Sequence, residues 1–271
     1  MSSQPEAIHN IPKIGFGTAR LGGRIIPNRS RETSWLSILN TAFDSGYTYF
    51  DTAELYALGY SEELLGRAYR QSNKSRAEII VSTKAWLNHL SFNSLLRACE
   101  HSLRRLKMES IDLYLIHIPN PLIPLKETFR ALNLLVHQKK VKHIGVSNFN
   151  QKILMEAMDL ADFPILTNQI RFNILDKACI ENGLLEFCQN NNILVTAYSP
   201  LRCTTIFKNE TILSISKNHQ ATPQQIALAW LISHPKVITI PMSFNKTHQR
   251  ENLEAANIKL SKIEIDQINL I

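Results

Sequence analysis

Trp35-Leu-Ser-Ile-Leu-Asn-Thr-Ala-Phe-Asp-Ser-Gly-Tyr-Thr-Tyr-Phe-Asp51 joins a helical pattern to a strand pattern, and the recurrence of that unit decides the fold. Trp35, Ile38, Leu39, Ala42 and Phe43 fall on one face at 3.6-residue spacing, and Gly46 stands where a helix ends. Thr48–Asp51 follows as a short strand-type run. Working outward, comparable runs occur at Lys13–Gly17, Ile79–Thr83, Leu113–His117, His143–Ser147, Ile165–Gln169, Leu194–Tyr198 and Val237–Pro241, which makes eight candidate strands. Helix starts are signalled at Ser61-Glu-Glu, Thr222-Pro223-Gln-Gln225 and Ser261-Lys-Ile-Glu264. The last two carry Gln or Glu three residues after the cap, and Pro223 sits where its missing N–H has no partner to lose.

Strand and helix alternate without a flexible linker or a shift of composition. This predicts an α/β fold, a closed (β/α)₈ TIM barrel forming one domain over residues 1–271. The rival, a doubly wound sheet, would carry a glycine-rich phosphate loop. The nearest match, Gly15-Phe-Gly17-Thr-Ala-Arg20, has arginine where the third glycine belongs.

The 271 residues are 44% hydrophobic and 20% charged, the balance of a globular chain with a full core. The amino-terminal run Met1-Ser-Ser-Gln has no signal-peptide character, and no stretch approaches the ~20 apolar residues of a membrane span. A cytoplasmic protein is expected, with no membrane partner. Cys99, Cys179, Cys188 and Cys203 form no C-x-x-C pair and read as reduced thiols, Cys203 on a loop near the expected site. The net charge of +7 is scattered, with Arg104-Arg105 and Lys139-Lys140 the longest runs, which argues against nucleic acid and fits attraction of an anionic small molecule. No metal-ligand spacing is present, so no metal is expected.

A barrel of this type places its site at the carboxyl ends of the strands. There stand Asp51, Lys84, His117, Ser147-Asn148, Asn168-Gln169 and Tyr198-Ser199. Each alone has an ordinary reading: a cap, a solvated lysine, a core histidine, a packing tyrosine. Together on one rim they suggest chemistry. Asp51, Lys84 and His117 end consecutive strands and should converge, and Tyr56 follows Asp51 closely enough to turn back over them. A lysine ammonium beside Tyr56 is expected to lower the phenol's value from about 10. Asp51 would keep Lys84 charged, and His117 would donate to a substrate oxygen. Such proton transfer serves reduction, isomerisation or retro-aldol cleavage alike. A Schiff-base lyase using Lys84 and a cofactor-binding regulatory subunit are the competing functions.

The series Tyr49-Phe-Asp51-Thr-Ala-Glu-Leu-Tyr56, Ser61-Glu-Glu-Leu-Leu-Gly66, Ser82-Thr-Lys84, Asp112-Leu-Tyr-Leu-Ile-His117, Gly145-Val-Ser-Asn-Phe149, Asn168-Gln169 and Ala197-Tyr-Ser-Pro-Leu201 resembles the aldo-keto reductase family, in order from about Ile14 to Asn252. The resemblance implies NAD(P)H-dependent reduction of aldehydes and ketones on a barrel without the dinucleotide fingerprint, by a cytoplasmic enzyme that is a monomer. It implies Tyr56 as proton donor, Lys84 and Asp51 as its tuning pair and His117 as the donor that orients substrate. Ser147, Asn148 and Gln169 would hold the nicotinamide amide, Tyr198 would stack on its ring, and Asp51, Thr18 and Ala19 would lie by the ribose. Ser199 and Leu201 would follow the pyrophosphate, with Ser243, His248, Glu251 and Asn252 at the adenosine end. Leu55, Trp86, His117 and Ile118 would line the substrate pocket, which short loops leave open to small carbonyl compounds or alcohols. The resemblance favours NADP(H), while Met242 and His248 replace two charges often found on the 2′-phosphate and so bring in NAD(H) as the alternative.

Overall fold

The computed structural model describes residues 11–202 and 204–271. The amino-terminal run Met1–Asn10 and the thiol of Cys203 lie outside the described residues. Eight strands, β1 (Phe16–Gly17), β2 (Tyr49–Asp51), β3 (Ile80–Ala85), β4 (Ile111–Ile116), β5 (Val141–Ser147), β6 (Ile165–Arg171), β7 (Leu194–Tyr198) and β8 (Val237–Thr239), run in sequence order, each parallel to the next. The sheet closes where β8 meets the chain before β1. Ile14 bridges Thr239 in parallel sense, the Gly15 N–H donates to the Thr239 carbonyl at 2.8 Å, and the Thr239 N–H donates to the Lys13 carbonyl at 2.9 Å. The (β/α)₈ barrel expected from the alternation is therefore formed. Its seam needs a close approach at Gly17, where a Cβ would stand 2.6 Å from the Ile240 carbonyl oxygen.

The helix Glu32–Asp44 buries Trp35, Leu39, Ala42 and Phe43 and leaves Ile38 half-buried. It stops at Gly46 (φ +97°), which lets the Tyr47 N–H turn back to the Ala42 carbonyl at 3.1 Å. Thr222 and Ser261 form the expected capping boxes. Ser61 is no cap. The helix Tyr60–Gln71 starts at Gly59 in the left-handed region, which puts Ser61 inside the first turn, where its buried hydroxyl donates to Thr18 Oγ1 at 2.8 Å and accepts from Thr52 at 3.2 Å.

Side chains alternate across each strand. Tyr49, Leu113, Leu115, Leu166, Leu194 and Ile238 fill the barrel, while Tyr114 and Ile116 face the helical layer. The apolar plug stops short of the carboxyl ends, and the polar residues begin there. Cys99, Cys179 and Cys188 are buried free thiols, and burial pushes each up to about 12. Among the described residues no helix is long and apolar enough to cross a membrane, and no cluster of side chains could hold a metal ion.

Candidate active site

β2 and β3 bring Asp51 and Lys84 to the same end of the barrel, pointing inward. The Lys84 ammonium donates to Asp51 Oδ2 and to the Thr52 carbonyl, both at 2.7 Å, and the pair is 0% and 2% exposed. Asp51 Oδ1 accepts from Ser82 at 2.7 Å and from the Gln169 amide at 2.9 Å. Burial alone would pull the Lys84 ammonium down, but Asp51 and Tyr56 outweigh it, and the group ends above its ordinary value. It is a fixed cation.

The third bond of that ammonium goes to the Tyr56 hydroxyl at 3.4 Å. Burial holds the phenol above its ordinary value; Lys84 draws it down without overcoming burial. The lowered value expected from the lysine alone is therefore corrected. Tyr56 remains a protonated phenol at neutral pH, with a proton available to give.

His117 lies just past β4, its ring edge-on to Tyr56 at 5.7 Å and to Trp86 at 5.2 Å. Burial, assisted by the Lys84 charge, lowers it to about 3, so it is a neutral imidazole. Its Nδ1 is buried without a protein partner.

The cavity above these groups has a volume of about 680 Å³. Along its floor and walls lie Ser147, Asn148, Gln169 and Tyr198, the Ser147 hydroxyl donating to the Gln169 carbonyl at 2.9 Å and the Tyr198 hydroxyl to Asn148 Oδ1 at 2.9 Å. Asn148 (φ +61°) and Ser199 (φ +54°) are both in the left-handed region, at the turns that leave β5 and β7. Ala19, Ser199, Leu201, Ile118 and Ser243 also line the cavity.

Other expected residues fall elsewhere. Thr18 is fully buried, its hydroxyl donating to the Asp51 carbonyl at 3.0 Å and accepting from Ser61, so it does not face the cavity. His248, Glu251 and Asn252 lie on the helix Lys246–Glu254, and Leu55 and Trp86 stand beside the cavity rather than on its surface. Arg20, Arg202 and Phe244 do line it and had not been assigned there. Arg20 was visible as the residue that spoils the glycine fingerprint. Arg202 sits directly after the Tyr198-Ser-Pro-Leu201 run, where a cation near an anionic ligand was a readable signal. Phe244 gave none.

A sequence model described as the Aldo/keto reductase family matches residues 13–271. The chain is similar to the glyoxal reductase of Bacillus subtilis (strain 168), 32% identical over 86% of this chain and 82% of that protein. Its fold is similar to the crystal structure of the thermostable aldo-keto reductase Tm1743 with the inhibitor epalrestat, with a TM-score of 0.93 at 44% identity over 96% of this chain and 95% of that one. An aldo/keto reductase from Klebsiella pneumoniae in complex with NADP and acetate superposes with a TM-score of 0.87 at 32% identity, covering 96% and 91%.

Proposed function

Because this chain belongs to the aldo/keto reductase family, we propose that it reduces small aldehydes and ketones to alcohols with NADPH as the favoured reductant, Tyr56 supplying the proton. The observation that carries the reading is the Lys84 ammonium bonded at 2.7 Å to Asp51 and at 3.4 Å to the Tyr56 hydroxyl, with the neutral imidazole of His117 edge-on to the same ring. A carbonyl oxygen between Tyr56 and His117 would accept a hydrogen bond from each. As charge develops on that oxygen the phenol proton moves to it, and the fixed cation of Lys84 stabilises the phenolate left behind. Asp51 keeps that cation in place.

The cavity fits a nicotinamide dinucleotide. Ser147, Asn148 and Gln169 present amide and hydroxyl groups at its floor, Tyr198 offers a ring face, and Arg20 and Arg202 bring positive charge where phosphates would lie. Bound there, NADPH supplies the hydride. Met242 and Ser243 line the cavity, and Met242 would offer a 2′-phosphate no cation where a lysine would.

The glyoxal reductase of Bacillus subtilis and the methylglyoxal reductase YeaE of Escherichia coli are among the relatives. Two-carbon and three-carbon dicarbonyls are small enough to reach Tyr56 and His117 on the wall of this cavity. A Schiff base on Lys84 is disfavoured because the amine is held as a buried ammonium.

The test is NADPH and NADH oxidation by the purified protein with glyoxal, methylglyoxal and a panel of small aldehydes and ketones. Consumption of NADPH with these dicarbonyls supports the reading. Cofactor binding without turnover across the panel would replace it with a regulatory role.

A further inference from the structure

We infer that the ion pair of buried Glu62 and half-buried Arg105 positions the two groups that share the reacting proton, by tying the loop that carries Tyr56 to the strand that carries Lys84. The loop is unusual. Ala57 (φ +48°), Leu58 (φ +52°) and Gly59 (φ +86°) follow Tyr56 in succession, all in the left-handed region that disfavours alanine and leucine. A conformation of that kind persists only where its surroundings hold it, and the Leu58 side chain, 63% exposed, does not.

Ala57, fully buried in the apolar core, holds one end of the bend, and Arg105, on the helix Phe92–Leu106, holds the other at Gly59. Its side chain lies across Gly59 so closely that a Cβ there would stand 2.5 Å from Nε and 2.6 Å from Cδ. The same Nε–H donates to Glu62 Oε2 at 2.6 Å, and Nη2 donates to Ser102 at 3.2 Å. Glu62 has no exposed surface, and its second oxygen accepts the Thr83 hydroxyl at 2.6 Å. Thr83 immediately precedes Lys84 and faces out of the barrel while Lys84 faces in. One carboxylate thus fixes the back of β3 and, through Arg105, the bend that presents the phenol.

An ion pair of this kind is a poor source of stability compared with apolar packing of the same volume, because Glu62 loses its hydration altogether and Arg105 most of it. What it supplies is direction. The Tyr56–Lys84 distance of 3.4 Å is already at the long end of a hydrogen bond, so a small movement of the loop breaks it. Glu62 and Arg105 touch neither the cavity nor the reacting groups, which makes them positioning residues.

The inference rests on Tyr56 being the proton donor, and its test reads Tyr56 directly. The full chain is labelled with [13Cζ]tyrosine, the Tyr56 resonance is assigned by its loss in Tyr56→Phe, and Arg105→Met, Glu62→Gln and Arg105→Lys are compared. In Arg105→Met and Glu62→Gln the resonance should shift and its titration move toward that of an exposed tyrosine. Turnover should fall at least tenfold, with the KM for the carbonyl compound and the affinity for NADPH within twofold. Arg105→Lys, which keeps a cation on Glu62, should recover part of the turnover. If the first two variants do not fold, Thr83→Val, which removes the hydroxyl bond to Glu62, and Arg105→Lys carry the same test. An unmoved Tyr56 resonance with unchanged turnover in the folded variants would overturn the positioning role. Full turnover in Tyr56→Phe would instead overturn the donor reading on which it rests.

Discussion

The Lys84 ammonium lies 2.7 Å from the Asp51 carboxylate, and neither side chain has meaningful access to solvent. Two charges held at that depth stabilise each other only while both are present. Asp51→Asn or Lys84→Met alone should cost about 3–5 kcal/mol of folding stability, because each leaves a buried charge unpaired. The double variant should cost clearly less than the sum. Urea unfolding of the four proteins measures this, and additive costs would show that the two groups do not act as a pair.

Neutral His117 gives stability an acid limb. Its folded value of about 3 lies below the ordinary 6.5, so the unfolded chain binds a proton that the folded chain refuses. The stability it contributes is complete above pH 6.5 and is lost as pH falls from there toward about 3. Denaturation of the protein and of His117→Gln across that range should show the variant losing less stability on acidification.

As the proposed proton donor, Tyr56 should shape the alkaline side of the reaction. Its phenol is held above the ordinary value by burial, so the proton to be donated is present throughout the neutral range. The turnover number for reduction should be level through the neutral and mildly alkaline range and decline only above the pH of about 10 at which an ordinary tyrosine is half-ionised. A rate that falls through neutral pH would contradict a buried, protonated donor.

Met242 forms part of the cavity wall next to Ser243 and offers nothing to a phosphate. Met242→Lys should add a charge-assisted hydrogen bond of about 1.5–3 kcal/mol to the 2′-phosphate, roughly tenfold or more in affinity. Titration with NADPH and NADH should show the gain for NADPH alone. Equal gains for both would place the new charge on the pyrophosphate instead.

The order of strands and the rim of polar residues were legible because both follow from local pattern: runs such as Leu113–His117 end in a residue that an apolar core does not explain. What is not local was less legible. β1 is only Phe16–Gly17 and β8 only Val237–Thr239, because the seam is made by a single bridge and by bonds to Lys13 and Pro241. Ser61 has the composition of a cap, yet the left-handed Gly59 takes that place and frees the serine to bond Thr18. The same contact turns the Thr18 hydroxyl away from the cavity. The direction of the Tyr56 shift depends on how deeply the phenol is buried, which a neighbouring lysine in the sequence does not reveal. Arg20 and Arg202 come from separate loops, and only the closed barrel brings them to one cavity.

Whether Tyr56 gives the proton is decided by Tyr56→Phe, assayed for turnover with methylglyoxal and for NADPH affinity. Affinity should stay close to that of the unaltered protein and turnover should fall by a factor on the order of 10²–10⁴, the range general acid catalysis provides. Unchanged turnover in a variant that binds NADPH normally would contradict Tyr56 as the donor.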